Sequence, residues 1–424
     1  MQLDADTRHP APRSGSVGPA RVGPGFIARY AAAYMGTSLV LIAPVSITLA
    51  LKVNALVGIA RAPATLALVV GVGSLVALVG NPLVGRLSDR TTSRFGRRRP
   101  WMVLGLLGGT AAITVVATAD TVGVVLVGWC AAQLCFNALL AVQVAVLPDQ
   151  VPTAQRGLVS GILGVCLPIA SVGATFLVRT FIGSQLTMFL APCVVGGVCV
   201  LAFAATLDDR RLPRDDRPAW SSRELAGTFY FDPRRCPDFA WAFASRFLFV
   251  LAYAFLSTYQ VYYLIDHLGT AEGAVPQQVF VATLVQATAV VVTSLVSGRV
   301  SDRLGRRKPF VAGAAVVYAV AMVVVGLADS YGGFLVGIAI SGLGFGMYFA
   351  VDLALVADVL PDQAHAAKDL GVLNYAGALP FAVAPALAPS ILAGSGGSYP
   401  VLYAVAAGCA ALGAAAILPV KAAR

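Results

Sequence analysis

Charged side chains are scarce in this 424-residue chain. Asp, Glu, Lys and Arg together make up 12% of it, whereas hydrophobic residues make up 58% and the mean hydropathy is +0.81. A soluble domain usually carries about 25% charged residues and about 45–50% apolar ones, and disordered segments and coiled coils carry more charge still. The composition therefore excludes a disordered protein and a coiled coil, and it argues against an ordinary soluble enzyme.

Residues that bind metals, form disulfides or hydrolyse ATP are also few. The seven cysteines form no C-x-x-C pair, and none of the three histidines, His9, His267 and His365, lies in an apolar stretch. No G-x-x-x-x-G-K-[ST] loop is present. We therefore expect no metal, no cofactor and no histidine proton relay, and we expect any uphill work to draw on a gradient rather than on ATP.

What the sequence does contain is a series of long apolar stretches. A helix needs about 20 mostly apolar residues to cross the hydrocarbon core of a bilayer. The stretches that qualify or nearly qualify are 26–51, 63–85, 101–119, 122–147, 158–181, 185–207, 239–265, 277–297, 310–327, 331–360, 370–392 and 399–420. The sequence thus predicts an all-α polytopic membrane protein with 12 transmembrane helices.

Basic residues predict the orientation of these spans. Nearly all of the 30 Lys and Arg residues fall on one set of alternate loops and on the two tails, and only Lys52 and Arg61 fall in loops on the other side. By the positive-inside rule both termini are cytoplasmic. Arg29, Arg179 and Arg246 lie near the ends of apolar stretches, where we expect them to snorkel to the interface.

The same arginines favour certain partners. Their placement between apolar stretches fits contact with an anionic inner leaflet and gives no groove for nucleic acid. Only four basic residues are Lys, and the chain is rich in Ala, Gly and Val, which favours a bacterial source. We expect a monomer in the bacterial inner (plasma) membrane.

Two short motifs recur at one offset. Gly-Arg-Leu-Ser-Asp-Arg at 85–90 matches Gly-Arg-Val-Ser-Asp-Arg at 298–303, and Leu-Pro-Asp-Gln at 147–150 recurs at 360–363. Both offsets are 213 residues, which predicts two parallel six-helix repeats. The expected units are a disordered cytoplasmic tail (1–25), an N-terminal bundle (26–207), a cytoplasmic linker (208–238), a C-terminal bundle (239–420) and a short tail (421–424).

The loop motifs carry a family resemblance. Residues 298–307 read Gly-Arg-Val-Ser-Asp-Arg-Leu-Gly-Arg-Arg, which resembles the G-x-x-x-D-R-x-G-R-R signature of the major facilitator superfamily. The first copy carries four inserted residues, and its D-R-x-x-S-R-x-G-R-R-R-P form at 89–100 is similar to glycoside-pentoside-hexuronide and sucrose/proton symporters. The resemblance implies a secondary active transporter that alternates access between two six-helix bundles.

A cytoplasmic gate is the function that we expect for these motifs. Gly85 and Gly298 would let helices approach closely, while Asp89 and Asp302 would hold an Arg or cap a helix N-terminus. The alternative is that the arginines only set the topology and that Asp358 is a cap. The expected gate residues are Gly85, Asp89, Arg90, Arg97, Arg98, Asp149, Arg156, Gly298, Asp302, Arg303, Arg306, Arg307, Asp358 and Asp362.

Asp352 is the candidate for proton coupling. It interrupts the apolar run at 348–355, where ionisation without a partner would cost at least ~2.5 kcal/mol. A carboxyl in that position is suited to exchanging a proton near neutral pH. The alternative is a structural Asp bonded to a neighbouring helix or to Arg246.

Polar side chains inside the apolar stretches are candidates for substrate binding. Hydroxyls, amides and aromatic rings suit a sugar, which offers hydroxyls at its edge and an apolar face for stacking. The alternative is that they join helices or form an interfacial aromatic belt. The candidates are Tyr34, Gln133, Asn137, Tyr253, Gln260, Gln286 and Tyr348.

These features lead to a prediction of proton-coupled uptake of a neutral sugar or glycoside. Melibiose-type symporters place acids for sodium in their second span, but 63–85 contains none, so sodium coupling is disfavoured. The alternative is proton-driven efflux of drugs or amphipathic metabolites. We do not expect an enzyme, because no catalytic group of His, Asp, Glu, Ser or Lys clusters near one membrane face.

Overall fold

A computed structural model describes residues 21–209, 236–304, 306–359, 373 and 375–420, and it gives positions 302 and 353–359 by their backbone alone. Within these ranges the regular elements are helices, and 12 of them are long and apolar enough to span a membrane. The prediction of an all-α protein with 12 spanning helices is therefore confirmed. The expected tail at 421–424, most of the N-terminal tail and most of the linker lie outside the described residues.

The spanning helices are numbered α1 to α12 in chain order. They are α1 Pro24–Val57, α2 Ala62–Asp89, α3 Arg99–Thr118, α4 Val122–Gln150, α5 Thr153–Thr180, α6 Gln185–Thr206, α7 Pro237–His267, α8 Val275–Leu304, α9 Lys308–Gly326, α10 Tyr331–Val359, α11 Tyr375–Gly394 and α12 Tyr399–Ala416. A π-helical turn, Pro44–Thr48, interrupts α1, and a second, Tyr263–His267, ends α7.

Several helices extend beyond their apolar stretches. The motifs at 85–89 and 147–150 lie on the last turns of α2 and α4 instead of in loops. Lys52 likewise lies in α1, where it is buried and its ammonium donates to the Ala117 carbonyl and to Gln185 Oε1, both at 2.9 Å. A helix keeps its backbone hydrogen bonds outside the hydrocarbon core, so hydropathy alone underestimates its length.

The two halves pack in the same pattern. In the first half α1 contacts α5 and α6, α4 contacts α2 and α3, and α3 contacts α6. In the second half α7 contacts α11 and α12, α10 contacts α8 and α9, and α9 contacts α12. Adding six to each helix number converts the first set into the second. The halves meet at two places, where α2 packs on α11 and where α5 packs on α8. These two contacts are equivalent in the repeat, because α2 corresponds to α8 and α5 corresponds to α11.

Glycines permit the closest contacts inside a half. A Cβ on Gly36 of α1 would lie 2.7 Å from the Gly196 carbonyl oxygen of α6, and a Cβ on Gly196 would lie 2.4 Å from the Gly36 oxygen. The two backbones touch there with no side chain between them.

One end of the bundle carries the arginine-bearing loops α2–α3 and α8–α9, and we call it the arginine-rich face. Contacts between the halves lie nearer the opposite face. Asn54 Nδ2 of α1 donates to Glu272 Oε1 before α8 at 2.7 Å, and the Tyr262 hydroxyl of α7 donates to the Ala50 carbonyl of α1 at 3.1 Å. The rings of Phe176 and Phe280 join α5 to α8 with centroids 5.7 Å apart.

Toward the arginine-rich face, α2 and α8 have open space beside them. A Cβ on Gly85 or Gly298 would meet no atom of the described residues within 4 Å. Close helix approach at these two glycines therefore stays a prediction. Gly71 of α2 lies nearer the opposite face, and there α2 is close to the other half. A Cβ on Gly71 would lie 3.6 Å from the Ala382 carbonyl oxygen of α11.

Candidate functional site

The most buried charges of the C-terminal half form an ion pair between α7 and α10. Arg246 Nη1 donates to Asp352 Oδ2 at 2.6 Å, and the two side chains are only 11% and 4% exposed. The structure shows the Arg246 partner that the sequence named as one possibility for Asp352, and its role in proton coupling stays a prediction. The expectation that Arg246 snorkels is wrong, because the carboxylate inside the bundle offers a better partner than the distant interface.

Aromatic rings surround this pair. Tyr348 stacks on Phe249 with ring centroids 3.8 Å apart, and its hydroxyl interacts with the Asp352 carboxylate. Tyr253 lies against Phe345 of α10, at a centroid distance of 4.7 Å. Tyr253 follows Arg246 by two helical turns and therefore shares its helix face. The structure thus brings one predicted substrate residue, Tyr348, to the predicted coupling residue and places a second, Tyr253, two helical turns along α7 from Arg246.

The predicted substrate residues of the N-terminal half lie on α1 and α4. Asn137 Nδ2 donates to Gln133 Oε1 at 2.9 Å, so the two amides share one face of α4 and bond to each other. Tyr34 is half-buried on α1. Within the described residues, no contact links these three side chains to the Asp352 pair.

The remaining two candidates lie in the C-terminal half. Gln260 is half-buried on α7, on the face that carries Tyr253. Gln286 Nε2 of α8 donates to Ser341 Oγ of α10 at 3.1 Å. This contact joins two helices, which was the alternative to substrate binding for these polar residues.

At the arginine-rich face, Arg98 is the centre of an ionic network in the first half. Its Nη2 lies 2.6 Å from Asp89 Oδ1 and 2.9 Å from Asp149 Oδ2, while its Nη1 donates to Ser88 Oγ at 2.9 Å. Arg97 adds a second bond to Asp149 at 2.7 Å. The network ties the end of α2 to the end of α4 within one half.

The other predicted gate residues divide into three groups. Arg156 donates to the carbonyls of Val151 and Pro148 and so caps α4. Arg90 and Arg307 are half-buried, whereas Arg303 and Arg306 are exposed. The side chains of Asp302 and Asp358, and Asp362 as a whole, lie outside the described residues.

Of the two roles expected for Asp89, it has the one of holding an arginine, Arg98, whereas the carboxylate that caps a helix is Asp209. Asp209 Oδ2 accepts from the backbone N–H groups of Arg98 at 2.6 Å and Arg99 at 2.8 Å, at the N-terminus of α3. A carboxylate in this position accepts hydrogen bonds from two otherwise unpaired N–H groups, and its negative charge interacts favourably with the positive end of the helix dipole. Sequence reasoning missed it, because Asp209 follows α6 and is more than 100 residues away from its partners.

Gly96 makes this cap possible, and we expect Gly96→Ala to destabilise the protein. Its φ of +102° disfavours any side chain, and a Cβ would lie 2.2 Å from Asp209 Oδ2. Loss of the cap together with backbone strain should cost about 2 kcal/mol, measured as unfolding in detergent. Gly157→Ala is the control, since its Cβ would meet nothing within 4 Å. Equal stability of the two variants would contradict this role for Gly96.

The second half repeats the loop anchors of the first. The Arg99 guanidinium donates to the carbonyls of Ala205 and Leu207, and the Lys308 ammonium donates to those of Leu418 and Val420. Ala205 corresponds to Leu418 and Leu207 corresponds to Val420, and each pair is 213 residues apart, which is also the offset of the sequence motifs. The inserted residues of the first loop therefore leave its anchor unchanged.

Comparisons with known sequences agree with this duplicated helical architecture. A model described as Major Facilitator Superfamily matches residues 26–285 and residues 242–424. The uncharacterized symporter sll1374 of Synechocystis sp. is 45% identical over 53 residues, which are 12% of this chain and 10% of that protein. The multidrug resistance protein MdtL of Klebsiella pneumoniae is 35% identical over 102 residues, 24% of this chain and 26% of that protein. The matches span about a tenth and about a quarter of these relatives' lengths.

Solved structures share the fold over nearly the whole chain. A mutant of the nucleoside transporter NupG superimposes with a TM-score of 0.74 at 12% identity, covering 93% of this chain and 99% of that one. The human organic anion transporter MFSD10 gives a TM-score of 0.66 at 16% identity, covering 93% and 100%. The solved structures share the fold, and the family match over both halves shows that the chain belongs to the major facilitator superfamily.

Proposed function

We propose that this transporter couples the uptake of a sugar or glycoside to protons across the bacterial plasma membrane. The observation that carries the proposal is the Arg246–Asp352 pair, buried in the span region beside Tyr348 and Tyr253. A carboxylate that exchanges between an arginine partner and a proton can link a conformational change to a gradient. Sodium is the weaker candidate, because α2 has no acidic residue before Asp89.

Stacking surfaces beside polar groups support a carbohydrate. The Phe249–Tyr348 stack and the Tyr253–Phe345 contact provide ring faces, and Gln260 supplies an amide on the same face of α7 as Tyr253. A sugar ring needs both kinds of contact. The prediction of a neutral sugar rested on polar neutral side chains together with one acid, Asp352, and the structure adds the buried charge of Arg246 to that group.

The distribution of contacts between the halves supports alternating access. Asn54–Glu272 and Tyr262–Ala50 hold the halves together toward the opposite face, while Gly85 and Gly298 have open space beside them. With the arginine-rich face placed in the cytoplasm by the positive-inside rule, this is an inward-facing conformation. Its arginines would then contact the anionic inner leaflet.

Efflux of amphipathic compounds is the second candidate. Phe345 and Phe349 stack with centroids 4.4 Å apart, and Phe349 is exposed, which offers an apolar wall to a drug-like solute. The partial match to a multidrug resistance protein favours the same alternative.

Ligand stabilisation and liposome transport distinguish these candidates. A ligand at 100 times its dissociation constant should stabilise the purified protein by about 2.7 kcal/mol if it binds only the folded state. We expect mono- or disaccharides or glycosides to do so, and we expect liposomes with an acidic exterior to accumulate the same compounds. Stabilisation by cationic or neutral drugs alone, with no sugar uptake, would favour efflux and would overturn the uptake proposal.

A further inference from the structure

The guanidinium of Arg246 has a donor edge that no acceptor occupies in the part of the chain that the structure describes. Nη1 is bonded to Asp352, but Nε is buried and has no acceptor among the described residues. A guanidinium offers Nε and Nη2 as a parallel pair of donors, and this edge matches the two oxygens of a carboxylate. Asp352 is bonded through the other terminal nitrogen, Nη1.

The unused edge faces a glycine of α11. A Cβ on Gly377 would lie 3.6 Å from Nη2 and 3.8 Å from Nε of Arg246. Because residue 377 has no side chain, it presents only its backbone to this edge. These distances are ordinary van der Waals contacts, so alanine at 377 would fit without a clash but would occupy the space that a bound oxygen needs.

We propose that the Nε and Nη2 edge of Arg246 binds a carboxylate of the substrate, so that the transported solute carries one carboxylate group. The inference rests on the proposed transport function of this same site and names the chemistry of its ligand. Sugar acids and simple monocarboxylates share that chemistry. Because Nε is shielded from solvent in this conformation, the carboxylate reaches it when α11 shifts from α7 just far enough to admit its oxygens, and a Cβ at 377 would fill part of that gap.

Charge balance then links the solute to one proton. Arg246 and Asp352 together are neutral, and a bound carboxylate brings a net charge of −1 into the span region, where charge is costly. A proton taken up by Asp352 restores neutrality, so one anion and one proton cross together with no net charge. Binding of either one therefore strengthens binding of the other.

Other titratable groups around the pair are tyrosines in the described part of the chain. They are Tyr348 on α10, whose hydroxyl interacts with Asp352, and Tyr318 on α9, whose ring centroid lies 5.1 Å from that of Phe249. An unperturbed phenol ionises near pH 10, so Asp352 is the group that can take up the proton at lower pH. The affinity for the carboxylate should rise up to about tenfold per unit of falling pH while Asp352 is ionised.

Gly377→Ala tests the proposal with the ion pair left intact. The probes are gluconate against sorbitol, lactate against lactamide, and benzoate against benzamide, compared by thermal shift of the full-length protein. We expect one carboxylate, and not its neutral partner, to stabilise the native protein, with at least about tenfold weaker binding to Gly377→Ala. Gly408→Ala on α12 is the control, because its Cβ would meet nothing within 4 Å.

Arg246→Lys is a second variant. It keeps the positive charge but removes the parallel pair of N–H donors, so it should also weaken carboxylate binding about tenfold. In liposomes, uptake of the bound carboxylate should follow a pH gradient and should not respond to an imposed voltage. Preference for neutral probes, no response to any probe, equal carboxylate binding by Gly377→Ala, or voltage-driven uptake would each overturn the inference. Proton-driven accumulation of a neutral sugar would overturn it while the proposed function stands.

Discussion

Asp352→Asn is expected to abolish uphill accumulation of substrate while leaving exchange across the membrane largely intact. Asparagine keeps an oxygen that can accept from Arg246, but it cannot carry a proton. The variant should therefore let substrate equilibrate across the membrane without concentrating it. With one proton per substrate, a gradient of one pH unit supports an inside-to-outside substrate ratio on the order of tenfold, and the variant should lose this ratio entirely. Gradient-driven uptake and counterflow in the same liposomes measure the two activities separately.

The control for this result is Asp329→Asn. Asp329 is an exposed carboxylate between α9 and α10, so its replacement should leave both activities unchanged. Uphill accumulation by Asp352→Asn at the native level would remove Asp352 from the coupling role. Loss of exchange together with accumulation would indicate a role in substrate binding or folding instead.

Arg246→Gln is expected to destabilise the protein by about 3–5 kcal/mol, because it leaves the Asp352 carboxylate buried without its partner. The double variant Arg246→Gln with Asp352→Asn should recover most of that loss, since neither charge then remains. Unfolding in detergent, followed by circular dichroism, measures all three variants on one scale.

Arg29→Gln is the matched control for this series. Arg29 is exposed on α1, and its replacement should change stability by no more than about 0.5 kcal/mol. If the double variant is as unstable as the sum of the single ones, the two side chains do not form an energetically coupled pair.

Much of the fold could be predicted because membrane insertion imposes strict length and composition rules. A stretch of about 20 apolar residues permits few structures in lipid, and the 213-residue offset revealed the repeat directly. The helix ends were less predictable. The motif at 85–89 was expected in a loop, but hydropathy reports where the hydrocarbon core ends and not where α2 ends.

The site could be predicted only in part, because its contacts depend on how distant helices rotate against each other. Arg246 and Asp352 are 106 residues apart, and the sequence left their pairing as one of two alternatives. Asp209 was overlooked for the same reason. The expected closeness at Gly85 depends on something else again, the relative position of the two halves, and it stays a prediction.

The arginine-rich loops of both halves also affect how freely the halves can move. Closing that end of the molecule brings guanidinium groups of the α2–α3 loop toward those of the α8–α9 loop, so like charges are compressed. The Debye length falls from about 30 Å at 0.01 M salt to about 8 Å at 0.15 M, which weakens this repulsion. The ionic strength on that side of the membrane therefore biases which conformation is at rest, independently of substrate and proton.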